Sequence, residues 1–150
     1  MGLRWETQRN NAVIAKSMEK FLKELQSRHF ELLTYVGEQF INWARQNEFA
    51  SKAKKGAYKD RTGNLRGSTG YIIGFDGKIK KTDITGTAEG TQAARSLANE
   101  ILRKNNKGFV LIAVAGMEYA SSVEAKGYDV ISASSEEAAD LLKELIQKVK

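Results

Sequence analysis

The sequence predicts an α+β fold in one domain spanning residues 1–150. Two helical stripes stand at the amino end, a compact hairpin signal lies near the middle, and a continuous apolar run is followed by a final amphipathic segment. A chain of 150 residues with 41% hydrophobic side chains can bury a core without covalent staples. It contains no cysteine and no proline, so disulfides, thiolate nucleophiles and cysteine-held metals are excluded.

From Asn10 to Leu25, the residues Ile14, Met18, Phe21, Leu22 and Leu25 recur at three- and four-residue steps and mark one face of a helix. From Arg28 to Glu48, Phe30, Leu33, Val36, Phe40, Ile41 and Ala44 keep that period across Gly37. Both a turn at Gln26–His29 and one long helix fit the helical region 8–48. Residues 50–59 are small, basic and aperiodic, which predicts a flexible loop, and the α+β core then occupies 60–150. Thr62 can cap a short turn carrying Leu65, ended by Gly67 and Gly70.

The hairpin covers 71–82: Tyr71-Ile72-Ile73-Gly74-Phe75, the turn pair Asp76-Gly77, and Lys78-Ile79-Lys80-Lys81-Thr82. A two-residue turn pairs Phe75 with Lys78 and Ile73 with Lys80. Thr87 to Asn105 has helical spacing in Ala94, Leu97, Ala98, Ile101 and Leu102. The run 109–115 reads as a central strand buried on both faces. Tyr119–Lys126 reads as a short helix, and Tyr128 to Ser132 as a further strand (128–132). Ser134 with Glu137 forms a capping box for a last helix bearing Leu141, Leu142, Leu145, Ile146 and Val149. The expected architecture is a small mixed or antiparallel sheet packed by the amino-terminal helix or helices, a middle helix and a carboxyl-terminal helix.

Charge is uneven. Residues 1–66 carry 13 basic and 7 acidic side chains, whereas 67–150 carry 11 of each. The excess concentrates between Arg45 and Arg66, in Lys52, Lys54, Lys55, Lys59 and Arg61 besides those two ends. Such a patch attracts phosphates, anionic lipid or an acidic protein face. No apolar run approaches the length of a membrane span, and no signal-peptide core opens the chain, so a soluble protein is expected.

Catalytic chemistry has little to stand on. The single histidine, His29, belongs to the helical stripe and reads as a packing or surface residue. Gly63, Gly67 and Gly70 lack the Gly-Lys-Ser/Thr that a phosphate-binding loop needs, and the acidic residues make no metal-ligand pattern. No catalytic residue, cofactor, metal or small-molecule substrate is expected.

Two segments carry a family resemblance. Tyr58-Lys59-Asp60-Arg61-Thr62-Gly63-Asn64-Leu65-Arg66-Gly67-Ser68 resembles the "aspartate, any, Thr-Gly, any, Leu-Arg, any, Ser" signature of the head–tail joining and tail-completion (neck) proteins of long-tailed bacteriophages. Glu118-Tyr119-Ala120-Ser121-Ser122-Val123-Glu124-Ala125-Lys126-Gly127 resembles that family's "Tyr-Ala, two residues, Val-Glu, then Gly" element after a hydrophobic strand. The residues matching the family motif are Asp60, Thr62, Gly63, Leu65, Arg66 and Ser68, then Tyr119, Ala120, Val123, Glu124 and Gly127. The chain departs from the family by its helix at 87–105, which lengthens the gap between the motifs, and by its carboxyl-terminal helix.

The resemblance implies a non-enzymatic virion component of a phage or prophage, an oligomeric ring at the neck, assembled in the host bacterial cytoplasm. Its partners would be itself and other neck or tail proteins, with room for non-specific contact with packaged DNA and none with a membrane. Lys52, Lys54, Lys55, Lys59, Arg61, Arg66 and Glu124 are the candidate contact residues, Glu124 meeting a basic residue within the chain or on a neighbouring subunit. Leu65, Tyr119 and Val123 also read simply as packing residues. The alternative is a small basic nucleic-acid-binding module using the Arg45–Arg66 region and the 71–82 hairpin, where aromatics alternate with lysines.

Overall fold

The computed structural model describes residues 2–56, 58–59, 69–84, 87–115 and 124–148. The element order is α1 (Gly2–Gln46), a 3-10 turn (Ala50–Lys52), β1 (Thr69–Phe75), β2 (Lys78–Ile84), α2 (Ala88–Lys104), β3 (Phe109–Ala115) and α3 (Ser132–Lys148). The chain forms two compact units, 1–31 and 32–150.

The first unit is helical, and no turn interrupts α1 at Gln26–His29. Its stripe residues Ile14, Met18, Phe21 and Leu22 are exposed and Leu25 is half-buried. Lys23 and Glu19 form an i,i+4 ion pair at 3.0 Å, a solvent-exposed contact of small energetic weight.

The second unit is an α+β domain around an antiparallel sheet of order β2-β1-β3. In it, the remainder of α1 buries Leu33, Val36, Phe40, Ile41 and Ala44. The helix stops because Asn47 takes a left-handed φ of 53°. Glu48 N–H then donates to Trp43 O at 3.0 Å and Asn47 N–H to Ala44 O at 3.4 Å, the paired bonds of a Schellman end.

β1 is the central strand, and Tyr71, Ile72 and Ile73 are fully buried. Residues of opposite parity serve opposite layers. Ile72 joins Ile112 and Val114 of β3 in a cluster with Ala94, Ala98 and Leu102 of α2. On the other face, Tyr71, Leu111 and Ala113 meet Gly37 and Phe40 of α1 and Ala138 and Leu142 of α3 around an apolar cleft of about 180 Å³. The run 109–115 is therefore an outer strand, not the central one, and only Ile112 and Val114 in it are buried. Its continuous apolarity comes from helices covering both faces of the sheet, which an outer strand shares with a central one.

The hairpin turn is as tight as Asp76-Gly77 suggests, with φ of 48° and 79°. Phe75 pairs with Lys78 as expected, but Ile73 pairs with Lys81 because a bulge at Lys80 shifts the register. Asp76 anchors the next strand as well: its N–H donates to Gly108 O at 3.0 Å, and Gly108 N–H donates to its Oδ1 at 2.8 Å. Thr87 caps α2 by accepting from Gly90 N–H at 3.1 Å.

Two further expectations change. Tyr128 to Ser132 (128–132) is no strand of the sheet; Asp129 makes a single bridge there, its N–H donating to Gly56 O at 3.0 Å. Ser134 does not open α3 but lies in its first turn, fully buried, with no hydrogen-bond partner for its hydroxyl among the described residues. The short turn at Thr62–Leu65 and most of the helix expected at 119–126 lie outside the described residues.

The packing of α1 on β1 makes a prediction with a reversed sign. A Cβ at Gly37 would stand 2.5 Å from the Tyr71 ring. Gly37→Ala, ordinarily favourable by about 1 kcal/mol inside a helix, is expected instead to destabilise by about 1–3 kcal/mol through overpacking. Urea unfolding of the two proteins checks it. Ser134→Ala is expected to be neutral or stabilising in the same assay, whereas loss of a true capping serine costs about 1 kcal/mol.

Candidate interaction surfaces

The basic segment is tied down by four kinds of contact. Its first turn brings Lys52 to the Glu137 carboxylate of α3 and sets its ammonium 5.2 Å from the Phe49 ring centroid. Lys55 N–H donates to Gly127 O at 2.7 Å, and its ammonium lies 5.5 Å from the Tyr128 ring centroid. Tyr58 is buried in a small cluster with Val130. Residues read from the sequence as a flexible loop thus dock on the segment leading into α3. Lys54 and Lys59 keep exposed side chains, and Arg45 donates to Thr69 O at 3.3 Å.

Glu124 occupies the centre of that lead-in segment. Its Oε1 accepts from the N–H groups of Val130, Ile131 and Ser132 at 3.2, 3.0 and 3.1 Å. Ser132 Oγ donates to the carboxylate as well, at 2.9 Å. Of these, the Ser132 N–H is a donor that the start of a helix leaves without an intrahelical partner and the other two flank it, and α3 has no acidic residue of its own in its first turn. Gly127 closes the turn, donating to Glu124 O at 2.9 Å with a φ of 92° that favours glycine. The two motif residues that the structure describes, Glu124 and Gly127, therefore build one helix start and hold the basic segment to it.

Burial pushes the Glu124 carboxyl up, but the hydrogen bonds from Ile131, Ser132 and Val130 outweigh it, and its pKa falls below the ordinary glutamate value. Asp129 behaves oppositely. It is buried, and desolvation raises its pKa; the bond from Ala133 N–H, at 2.9 Å, works against that rise, and the charges of Glu124 and Glu136 add to it. Saturated with donors, Glu124 is a structural anion rather than a general base.

Around these residues lies an open polar depression of about 360 Å³, bordered by Lys52, Lys54, Glu124 and Glu136. Among the described residues, no group of three or more His, Asp or Glu side chains could hold a metal ion. No described helix is long and apolar enough to cross a membrane. Asp60, Arg61, Thr62, Gly63, Leu65, Arg66, Ser68, Tyr119, Ala120 and Val123 lie outside the described residues.

A second polar group escapes sequence reasoning. Tyr71 hydroxyl donates to Glu38 Oε1 at 2.8 Å, and Lys81 stands 3.8 Å from the same carboxylate oxygen and 5.6 Å from the Tyr71 ring centroid. Burial first, then the bond to Glu38 and the charges of Glu38 and Asp83, hold the Tyr71 pKa well above the ordinary phenol value. No motif marks this trio, because its members are distant in sequence.

The other surface is the apolar stripe of the first unit. Ile14, Met18, Phe21 and Leu22 are 52–62% exposed. They continue the helical period of Leu33, Val36 and Phe40, which are buried in the second unit. Compared with family models, curated proteins and solved structures, the chain matches none.

The Glu124 cap carries a pH dependence whose sign is fixed. Its folded pKa lies below the unfolded value of 4.5, so its contribution is complete above that value and is lost as pH falls through the lowered one. Asp129, raised in the fold, adds stability at low pH that is lost as pH rises through its folded pKa. Glu124→Gln is expected to cost about 1 kcal/mol at neutral pH. The gap from wild type should shrink once both proteins are studied well below pH 4.5. Urea midpoints at the two pH values measure it, and a gap that is the same at both contradicts the cap.

Proposed function

We propose that this chain is a structural, non-catalytic component of a phage or prophage virion, a head–tail joining or tail-completion protein that works as a ring of copies at the neck. The observation that carries the reading is the exposed apolar stripe Ile14, Met18, Phe21 and Leu22. Contiguous exposed apolar side chains mark sites of association, and a head-to-tail contact repeated around an axis closes a ring.

Two sequence features support the same reading. The Asp60–Ser68 and Tyr119–Gly127 segments resemble the family's elements in order, and the hairpin β1-β2 and strand β3 lie between them. The partners on this reading are further copies and other neck or tail proteins, met in the bacterial cytoplasm during assembly and retained in the virion, with non-specific contact to packaged DNA as a minor addition.

A nucleic-acid-binding module is the competing reading, favoured by the exposed side chains of Lys54, Lys59, Lys78 and Lys80. Against it, Lys52, Lys55 and Lys81 already face partners inside the chain. The two readings separate by salt, because phosphate binding weakens steeply with ionic strength and apolar association does not.

Light scattering on the full chain at low and high salt is expected to give a multi-copy species resistant to salt. Each side chain of the stripe is worth about 1.5–3 kcal/mol when fully buried. The double substitution Met18→Glu with Phe21→Glu should therefore weaken assembly by roughly a hundredfold or more while leaving the helical circular dichroism intact. A monomeric wild type that binds short DNA only at low salt would favour the nucleic-acid module instead.

A further inference from the structure

Two apolar features of the chain are complementary, a ridge in the first unit and a recess in the second. The ridge is Ile14, Met18, Phe21 and Leu22, of which Phe21 is the largest and, at 62%, the most exposed. The recess is the cleft of about 180 Å³, walled by Phe40 of α1, Tyr71 of β1, Leu111 of β3 and Ala138 and Leu142 of α3. A side chain that fills it takes apolar surface out of water and gives those walls contacts they otherwise lack. An apolar cavity of about 150 Å³ takes up one benzene ring, so the cleft has room for one aromatic side chain and not for a helix.

We propose that Phe21 of one copy of this chain inserts into the cleft of a second copy, and that the contact repeats head to tail. The donor is another copy because Phe21 and Gly37, which also lines the cleft, belong to one unbroken helix. Such a helix has no turn that returns one of its residues to a wall further along it. Charge favours the same pairing. Residues 14–28 carry Lys16, Lys20, Lys23 and Arg28 against Glu19 and Glu24, whereas α3 carries Glu136, Glu137, Asp140 and Glu144 against Lys143 and Lys148. Helices of opposite net charge attract at a distance, which speeds encounter more than it tightens the complex. Two copies of 14–28 laid against each other would oppose like net charge instead.

The inference rests on the reading of the chain as a ring-forming protein and supplies the receptor for its exposed stripe. A ridge and a recess on different parts of one chain make a heterologous contact, the kind that closes rings.

Ala139 lines the cleft and is exposed, so Ala139→Glu sets a charge there without opening the core. Phe21→Glu removes the donor at an exposed helical position. In analytical ultracentrifugation each full-length variant alone is expected to dissociate about ten- to a hundredfold more readily than wild type, with unchanged circular dichroism. Mixed in equal amounts, the two should form a one-to-one pair and nothing larger, because one keeps the donor and the other keeps the cleft. Wild-type protein gives a readout that needs no variant: amide hydrogen exchange in 14–25 and in 135–142 should slow together as concentration rises. Assembly that survives Ala139→Glu, mixed variants that stay monomeric, or slowing that is confined to 14–25 or independent of concentration would each overturn the insertion, and a salt-resistant multi-copy wild type in those cases keeps the ring. Pairing of the mixed variants while wild type grows into open chains of ever larger mass would keep the insertion and overturn the ring. A wild type that is monomeric at every concentration overturns both.

Discussion

Tyr71 fills the space that a side chain at position 37 would need, and that exchange of volume between strand and helix sets one whole layer of the second unit. Because Gly37 offers only backbone, α1 can approach the central strand closely enough to bury Leu33, Val36, Phe40 and Ala44 around it. The ring is anchored at its far end by Glu38, one residue beyond the glycine, so the helix that makes room for Tyr71 also supplies the acceptor for its hydroxyl. α3 then borders the remaining gap, which persists as the apolar cleft. A parallel arrangement holds on the opposite face, where Gly74 leaves room for Leu102 of α2. The glycine that makes room thus lies on the helix in one layer and on the strand in the other.

The amino-terminal helix shows how one periodic pattern serves two ends. Spacing alone does not distinguish an apolar face that meets the chain's own core from one that meets another surface. In the second unit that face covers the sheet; in the first it remains open to solvent. Helical propensity with a three- and four-residue period is all that the sequence states about both.

Local signals were readable, and long-range ones were not. Thr87 and Asn105 bracket α2 because caps are chemistry between near neighbours, and Asp76-Gly77 makes its turn because positive φ angles are a property of those residues. The α+β class followed from such elements. The bulge at Lys80, the outer position of β3 and the missing strand at 128–132 depend on which strands pair, and apolarity in 109–115 cannot report that. The local motif Ser134 with Glu137 does not cap α3, because the groups that accept from its first N–H donors, Glu124 and Asp129, lie before the helix. Of the candidate contact residues, Glu124 and Lys52 each have a partner within the chain, at a distance in sequence that no local pattern marks for Lys52.

That origin of the cap bears on the order in which the chain acquires structure. The first turn of a helix is the costly one, and α3 has nothing acidic in its own first turn to ease it. The segment 132–148 alone therefore lacks its own nucleus. Its start becomes favourable only when the turn from Glu124 to Gly127 has closed and turned a carboxylate toward the backbone of residues 130–132. Lys55 and Gly56, bonded to Gly127 and Asp129, tie the same event to a stretch of chain some seventy residues earlier. α3 is thus templated by contacts outside itself rather than grown from local propensity.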